Sequence, residues 1–146
     1  MPQHLRNIVV PVDGSAGSER ATALAAQIAK GTGAKLTLLH VLDTGIGVAV
    51  MGAKALTRAE VEEALGRISE RVFGKARAAV AAAGVECEEQ VLEGKPSEEI
   101  VRHAVETECD LIVIGARGLS AVEKLLIGSV SSQVLHYAPC AVTLVR

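Results

Sequence analysis

A parallel β-sheet covered by helices on both faces is the fold class this sequence predicts. Three observations carry the expectation. Short, uninterrupted aliphatic runs alternate strictly with amphipathic stretches of helical period, and strands buried on both faces read as continuous apolar runs. Hydrophobic residues make up 49% of the chain but aromatics only 1%, so the core is built from Val, Leu, Ile and Ala. The order β-α-β-α-β-α-β-α-β, with no internal repeat and no linker, needs crossover connections and therefore a parallel sheet. A chain of 146 residues fits one domain over residues 1–146 and is long enough to fold without disulfides or metals.

The first strand is Asn7-Ile8-Val9-Val10-Pro11-Val12, stopped by Asp13-Gly14-Ser15. From about Ser18 to Lys30, Leu24, Ala25, Ile28 and Ala29 recur at helical spacing, and Gly31 and Gly33 end that helix. Leu36 to Leu42 is the second strand. The stretch from Thr44 to Leu56, with Gly45, Gly47 and Gly52, reads either as a loop over a site or as a slack connection. Thr57 and Glu60 form a capping box, in which each side chain satisfies a first-turn N–H. Behind it Val61, Leu65, Ile68, Val72, Ala76, Ala79 and Ala83 step by three and four along a long helix ended by Gly84.

Val85 to Leu92 is a more polar, alternating strand, expected near an edge. Pro96, Glu98 and Glu99 open the next helix, where proline suits the first turn and carboxylates suit the positive end. Its expected buried face is Ile100, Val101, Ala104 and Val105. Asp110 to Ile114 is the fourth strand, Ser129 to Tyr137 the last helix, and Ala141 to Val145 the fifth strand.

The formal charge of -2 argues against nucleic acid or an anionic membrane as partner. Cys87, Cys109 and Cys140 are far apart, without CxxC or Cys/His zinc spacing, and read as thiols of a reducing compartment. No signal peptide is recognisable, and no apolar run approaches the roughly 20 residues that span a bilayer. A cytoplasmic location is expected.

In doubly wound sheets ligands bind beyond the carboxyl ends of the strands, where strand order reverses. There the fourth strand runs into Gly115-Ala116-Arg117-Gly118, and Gly128-Ser129-Val130-Ser131-Ser132 opens the last helix, a G-x2-G-x9-G-S pattern. Each member has a plain structural reading: Gly115 ends a strand, Gly128 starts a helix, and Ser129 caps it. Together they describe an anion cradle. Glycines let a ligand approach the main chain, free helix N–H groups attract phosphate, Ser129 and Ser131 add hydroxyls, and Arg117 supplies charge. Val122, Leu125 and Leu126 are placed to fold the intervening residues into a short turn.

With these residues in place, the chain resembles the universal stress protein family, in its ATP-binding branch, over nearly its whole length. Ile8 to Ser15 matches the opening strand of the family and Leu38-Leu39-His40-Val41 its second. Asp110 to Gly115 matches the strand before the nucleotide motif, and Pro139 to Val145 the closing strand. The resemblance implies a three-layer, Rossmann-like (adenine nucleotide α-hydrolase-like) fold with strand order 3-2-1-4-5. Strands one and four then flank the reversal, ending at Asp13 and Gly115.

Carried over residue by residue, the resemblance implies that Pro11, Val12 and Asp13 border the adenosine. Asp13 sits near the ribose or a metal-bound phosphate, or simply braces the Asp-Gly-Ser turn. The main chain at Val41 reads the adenine edge. Ile114, Gly115, Arg117 and Gly118, with Gly128, Ser129, Val130 and Ser131, hold ribose and phosphates. The implied ligand is ATP, with or without magnesium. The 44–56 stretch has no clear family counterpart.

Motifs for catalysis are missing. There is no Walker G-x4-G-K-[ST] sequence, and Gly94-Lys95 runs into proline. His4, His40, His103 and His136 pair with no nucleophile and show no metal-ligand spacing. Binding is therefore better supported than chemistry. A nucleotide-responsive regulator is the leading expectation, set against a nucleotide-independent adaptor and a slow adenylate-hydrolysing enzyme. The last strand is expected at a sheet edge, where an apolar strand invites pairing with a second copy through residues 140–145. The family likewise often dimerises there.

Overall fold

The computed structural model describes residues 4–43, 57–118 and 127–146. The glycine-containing 44–56 stretch and the turn holding Val122, Leu125 and Leu126 lie outside the described residues. Five parallel strands form one sheet in the order β3-β2-β1-β4-β5. They are β1 (Asn7–Pro11), β2 (Lys35–Asp43), β3 (Cys87–Gly94), β4 (Leu111–Gly115) and β5 (Ala141–Val145). Between them run α1 (Ala16–Thr32), α2 (Arg58–Ala82), α3 (Pro96–Glu106) and α4 (Ser129–Tyr137). The expected order 3-2-1-4-5 is the observed one, with β3 and β5 at the edges.

Strand alternation sorts the core into two layers. Ile8, Val10, Val12, Leu36, Leu38 and Val113 face α1 and α2, packing on Ala21, Ala25, Ala26, Phe73, Ala76 and Val80. Val9, Leu39, Ile112 and Ile114 face the other way, onto Ile100, Ala104 and Val134 of α3 and α4. The alanines of α1 are small because that helix lies close on the sheet. A Cβ on Gly115 would stand 2.8 Å from the Gly17 carbonyl carbon, and one on Gly17 would stand 2.7 Å from the Arg117 oxygen.

The element boundaries differ from the sequence expectation where caps decide them. Helix α1 begins at Ala16 because the Ser15 hydroxyl accepts from the Ser18 N–H at 3.2 Å, a cap worth about 1 kcal/mol. Gly31 lies inside that helix, and only Gly33, with φ of 75°, ends it. The capping box at Thr57 and Glu60 is formed as expected. After α2 the chain leaves through Gly84 at φ of 72°, and the Val85 N–H returns to the Val80 carbonyl at 3.3 Å. Val85 therefore belongs to the helix cap, and β3 starts at Cys87. Asp110 precedes β4, and its Oδ2 accepts the Arg6 and Asn7 N–H groups at 2.8 and 2.9 Å, tying the starts of β1 and β4 together. Those two bonds hold its carboxyl below the usual carboxylate range.

Candidate functional site

The reversal of strand order lies between β1 and β4, and the chain leaves both strands in tight, internally braced turns. After β1 the Asp13 carboxylate accepts the Ser15 N–H at 2.9 Å, across Gly14 at φ of 83°. Only a residue tolerant of positive φ closes that turn. One oxygen of Asp13 thus braces the turn, and the same turn sets up the Ser15 cap of α1.

After β4 the chain makes a second set of contacts. The Ala116 N–H bonds the Val145 carbonyl at 2.8 Å, and the Gly128 N–H bonds the Ala116 carbonyl at 2.6 Å. A Cβ on Gly118 would come within 2.5 Å of Asp13 Oδ2. One on Gly128 would meet Ala116 O at 3.5 Å, Arg117 Cα at 3.7 Å and Gly118 N at 3.9 Å. Asp13, Gly118 and Gly128 are therefore neighbours, although 115 residues separate the first from the last in sequence. The two glycine clusters and the β1 turn converge on one point.

Helix α4 starts there. Gly128 is its N-cap, with no side-chain cap bond, which corrects the reading of Ser129 as the cap. The first helical bond runs from Ser132 N–H to the Gly128 carbonyl at 2.9 Å, so the N–H groups of Ser129, Val130 and Ser131 have no acceptor within the helix. Aligned peptide dipoles make this end positive. Ser129 and Arg117 are exposed beside it. Ser131 behaves differently. It is buried, and its hydroxyl donates to the Gly115 carbonyl at 2.6 Å, so it tethers α4 to β4 rather than offering a free donor.

The expected adenosine side is more spread out. Pro11 is half-buried at the end of β1, and Val12 is buried. Val41 sits one strand further out, opposite Leu92 of β3, with its side chain against the α3/α4 layer. Ile114 and Val130 join that same layer. Pro11 alternates with Val12 and so points to that layer as well, which puts the expected site on the α3/α4 side of the strand ends.

On the opposite side, the carboxyl ends of β1 and β2 open into a cleft of about 490 Å³ beneath α2. It shares only Val12 and Asp13 with the expected site. Its other walls include His40, Leu42, Arg71 and Lys75. Sequence reasoning missed this cleft. The available signal was Arg71 and Lys75, one turn apart and flanked by the apolar Ile68, Val72 and Ala76. His40 is held in place by its Nδ1 contact to the Val12 carbonyl at 2.7 Å and an edge-on approach to Phe73.

Among the described residues, no group of three or more His, Cys, Asp or Glu side chains is placed to hold a metal ion. None of the described helices is long and apolar enough to cross a membrane.

Comparison with known proteins adds the family. The model of the universal stress protein family matches residues 4–146. A Thermus aquaticus relative, named for its place in the QAH/OAS sulfhydrylase 3' region, is 38% identical over 142 residues, covering 97% of this chain and 98% of its own. Several similar solved structures carry nucleotides in their names, two of them at 26% identity or more. A universal stress protein in complex with cAMP is 28% identical with a TM-score of 0.70, covering 99% of this chain and 98% of the other. The universal stress protein of Archaeoglobus fulgidus in complex with dAMP is 26% identical with a TM-score of 0.69, covering 99% and 100%.

Proposed function

Because this chain belongs to the universal stress protein family, we propose that it binds an adenine nucleotide, ATP or a close relative, across the carboxyl ends of β1 and β4. The observation that carries the proposal is the convergence of Asp13, Gly118 and Gly128 at an N-terminus of α4 that lacks a side-chain cap. The cAMP and dAMP complexes of the two neighbours support the ligand class.

In this reading the phosphates lie over the Ser129–Ser131 N–H groups, where a bare helix end and its dipole stabilise an anion. Glycine at 118 and 128 keeps the surface low enough for phosphate to reach the main chain. Ser129 adds a hydroxyl and Arg117 an exposed positive charge at the rim. The purine lies toward Pro11, Val12 and the main chain of Val41, along Ile114 and Val130. Magnesium fits such a site as a phosphate companion, since it is commonly held by one carboxylate and the phosphate oxygens. Asp13 is the carboxylate that faces the glycine loop, and the ion would neutralise phosphate charge.

The reading is one of binding and regulation in a cytoplasmic stress response. The sequence offers no recognisable nucleophile or general-base set, which favours binding over chemistry. Occupancy acts on the α4 end and, through β4, on β5. That edge strand pairs only with β4 among the described residues, with four of its five residues half-buried. A two-fold pairing through residues 140–145 would satisfy the open edge in both copies. Sedimentation at micromolar concentration tests this: a dimer is expected, and a monomer refutes the pairing.

Competition of ATP, ADP, AMP and cAMP, and of CTP and UTP, against a fluorescent adenine nucleotide, with and without magnesium, tests the ligand class. Displacement by at least one adenine nucleotide and by no pyrimidine nucleotide is expected. Equal displacement by both classes, or by neither, contradicts the reading.

A further inference from the structure

Two of the three cysteines meet at the amino-terminal edge of the sheet, the end away from the proposed nucleotide site. Helix α3 closes in a Schellman turn: Cys109 N–H returns to the Ala104 carbonyl at 2.9 Å and Glu108 N–H to the Val105 carbonyl at 3.3 Å. Glu108 takes φ of 52°, a left-handed conformation usually left to glycine. The turn delivers Cys109 into the apolar layer under α3 and α4. Cys140 enters the same layer from the residue just before β5.

The strand register brings the pair together. Leu111 is opposite Ala141 at the start of the β4–β5 ladder. Cys109 precedes the first of these by two residues and Cys140 precedes the second by one, so the two cysteines enter neighbouring strands side by side. Neighbouring strands lie about 4.8 Å apart, a spacing compatible with the Cα separation a disulfide spans. Both thiols border one apolar layer and each influences the other electrostatically, while the Cys109 thiol also donates to the Leu111 carbonyl at 3.1 Å.

We propose that Cys109 and Cys140 are a resolving pair that closes to an intramolecular disulfide when the protein meets a peroxide, stapling the edge strand β5 to β4. Cys140 is half-buried and Cys109 is 7% exposed, so the peroxide reaches Cys140 first. The Cys140 thiolate attacks the peroxide, an S–O bond forms as the O–O bond breaks, and hydroxide leaves to be protonated to water. Cys109 then gives up its proton, its sulfur attacks the sulfenic sulfur, and the S–O bond breaks with release of a second water. Two thiols lose two electrons and two protons, and one peroxide becomes two waters.

Burial pushes the Cys109 thiol up to about 12 and raises that of Cys140 as well, so thiolate is scarce and the step is slow at neutral pH. The closed loop spans the glycine turn and α4, joining the two strands on which that region is mounted. The inference does not depend on nucleotide binding.

The test uses the full chain as Cys87→Ser, which removes the third thiol on the opposite edge strand. It is incubated with hydrogen peroxide, its fold checked by circular dichroism, then alkylated in denaturant and analysed by intact mass and peptide mapping. Expected are a loss of about 2 Da, two blocked thiols, and a Cys109–Cys140 cross-linked peptide reversed by dithiothreitol. Adding Cys109→Ser should divert Cys140 to sulfinic acid or to an intermolecular disulfide. Retention of both thiols by the folded protein overturns the proposal. So does sulfinic acid at Cys140 beside an unmodified Cys109.

Discussion

The Ser131 hydroxyl donates to the Gly115 carbonyl at 2.6 Å, and that one buried bond fastens the first turn of α4 to the end of β4. It holds the helix end in register with the two strand turns it faces. Replacing Ser131 by Ala leaves the Gly115 oxygen buried without that donor. A loss of about 1–3 kcal/mol in urea denaturation is expected, together with weaker nucleotide binding. Unchanged stability would mean that the bond does not position the helix.

Two glycines in the same motif are expected to fail in different ways. Gly115→Ala drives a Cβ to 2.8 Å from the backbone of Gly17, where neither α1 nor β4 can yield cheaply. Overpacking of this kind costs about 1–3 kcal/mol. Gly128→Ala meets nothing closer than 3.5 Å. Thermal melts should therefore drop for Gly115→Ala and stay near the parent for Gly128→Ala.

Glu108 closes the α3 turn with φ of 52°. Glycine adopts that conformation without a Cβ penalty, although it loses more backbone entropy on folding. Glu108→Gly is expected to stabilise the fold by about 1 kcal/mol, read as a higher urea midpoint at unchanged slope.

His103 is buried in α3, and its Nδ1 has no hydrogen-bond partner among the described residues. Burial holds its imidazole below the ordinary value of 6.5, while Glu106 opposes the shift. Between the folded and unfolded pKa values the unfolded chain binds a proton that the native state refuses. Stability is therefore full above about pH 6.5 and falls as pH is lowered through that window. His103→Leu should flatten the decline in urea midpoint between pH 7 and pH 5. Parallel profiles would assign the acid sensitivity to other groups.

The sheet was legible because its information is local. Apolar runs such as Ile8–Val10 and Ile112–Ile114 are unlike any amphipathic helix, and Pro96 and the Thr57–Glu60 box mark helix starts directly. Helix ends were less legible. Whether Val85 opens a strand or closes a cap depends on a hydrogen bond to Val80 that no pattern shows. At the candidate site the glycine spacing pointed to one place, and Gly118 and Gly128 do meet there against Asp13. Sequence could not assign each member its task. Gly115 is small to admit α1, and Ser131 is spent on a tether, because both depend on how closely helices pack on the sheet. The Arg71–Lys75 cleft went unread for the same reason: α2 reaches the ends of β1 and β2 only in three dimensions.

Calorimetric titration of nucleotide-stripped protein with ATP and magnesium, run beside Gly128→Glu, tests the central claim most directly. Glutamate there would place bulk and negative charge over the Ser129–Ser131 N–H groups. Saturable binding by the parent is expected, and none by a variant that keeps the parent's circular dichroism. Absence of binding by the folded parent, or equal binding by the folded variant, would contradict it.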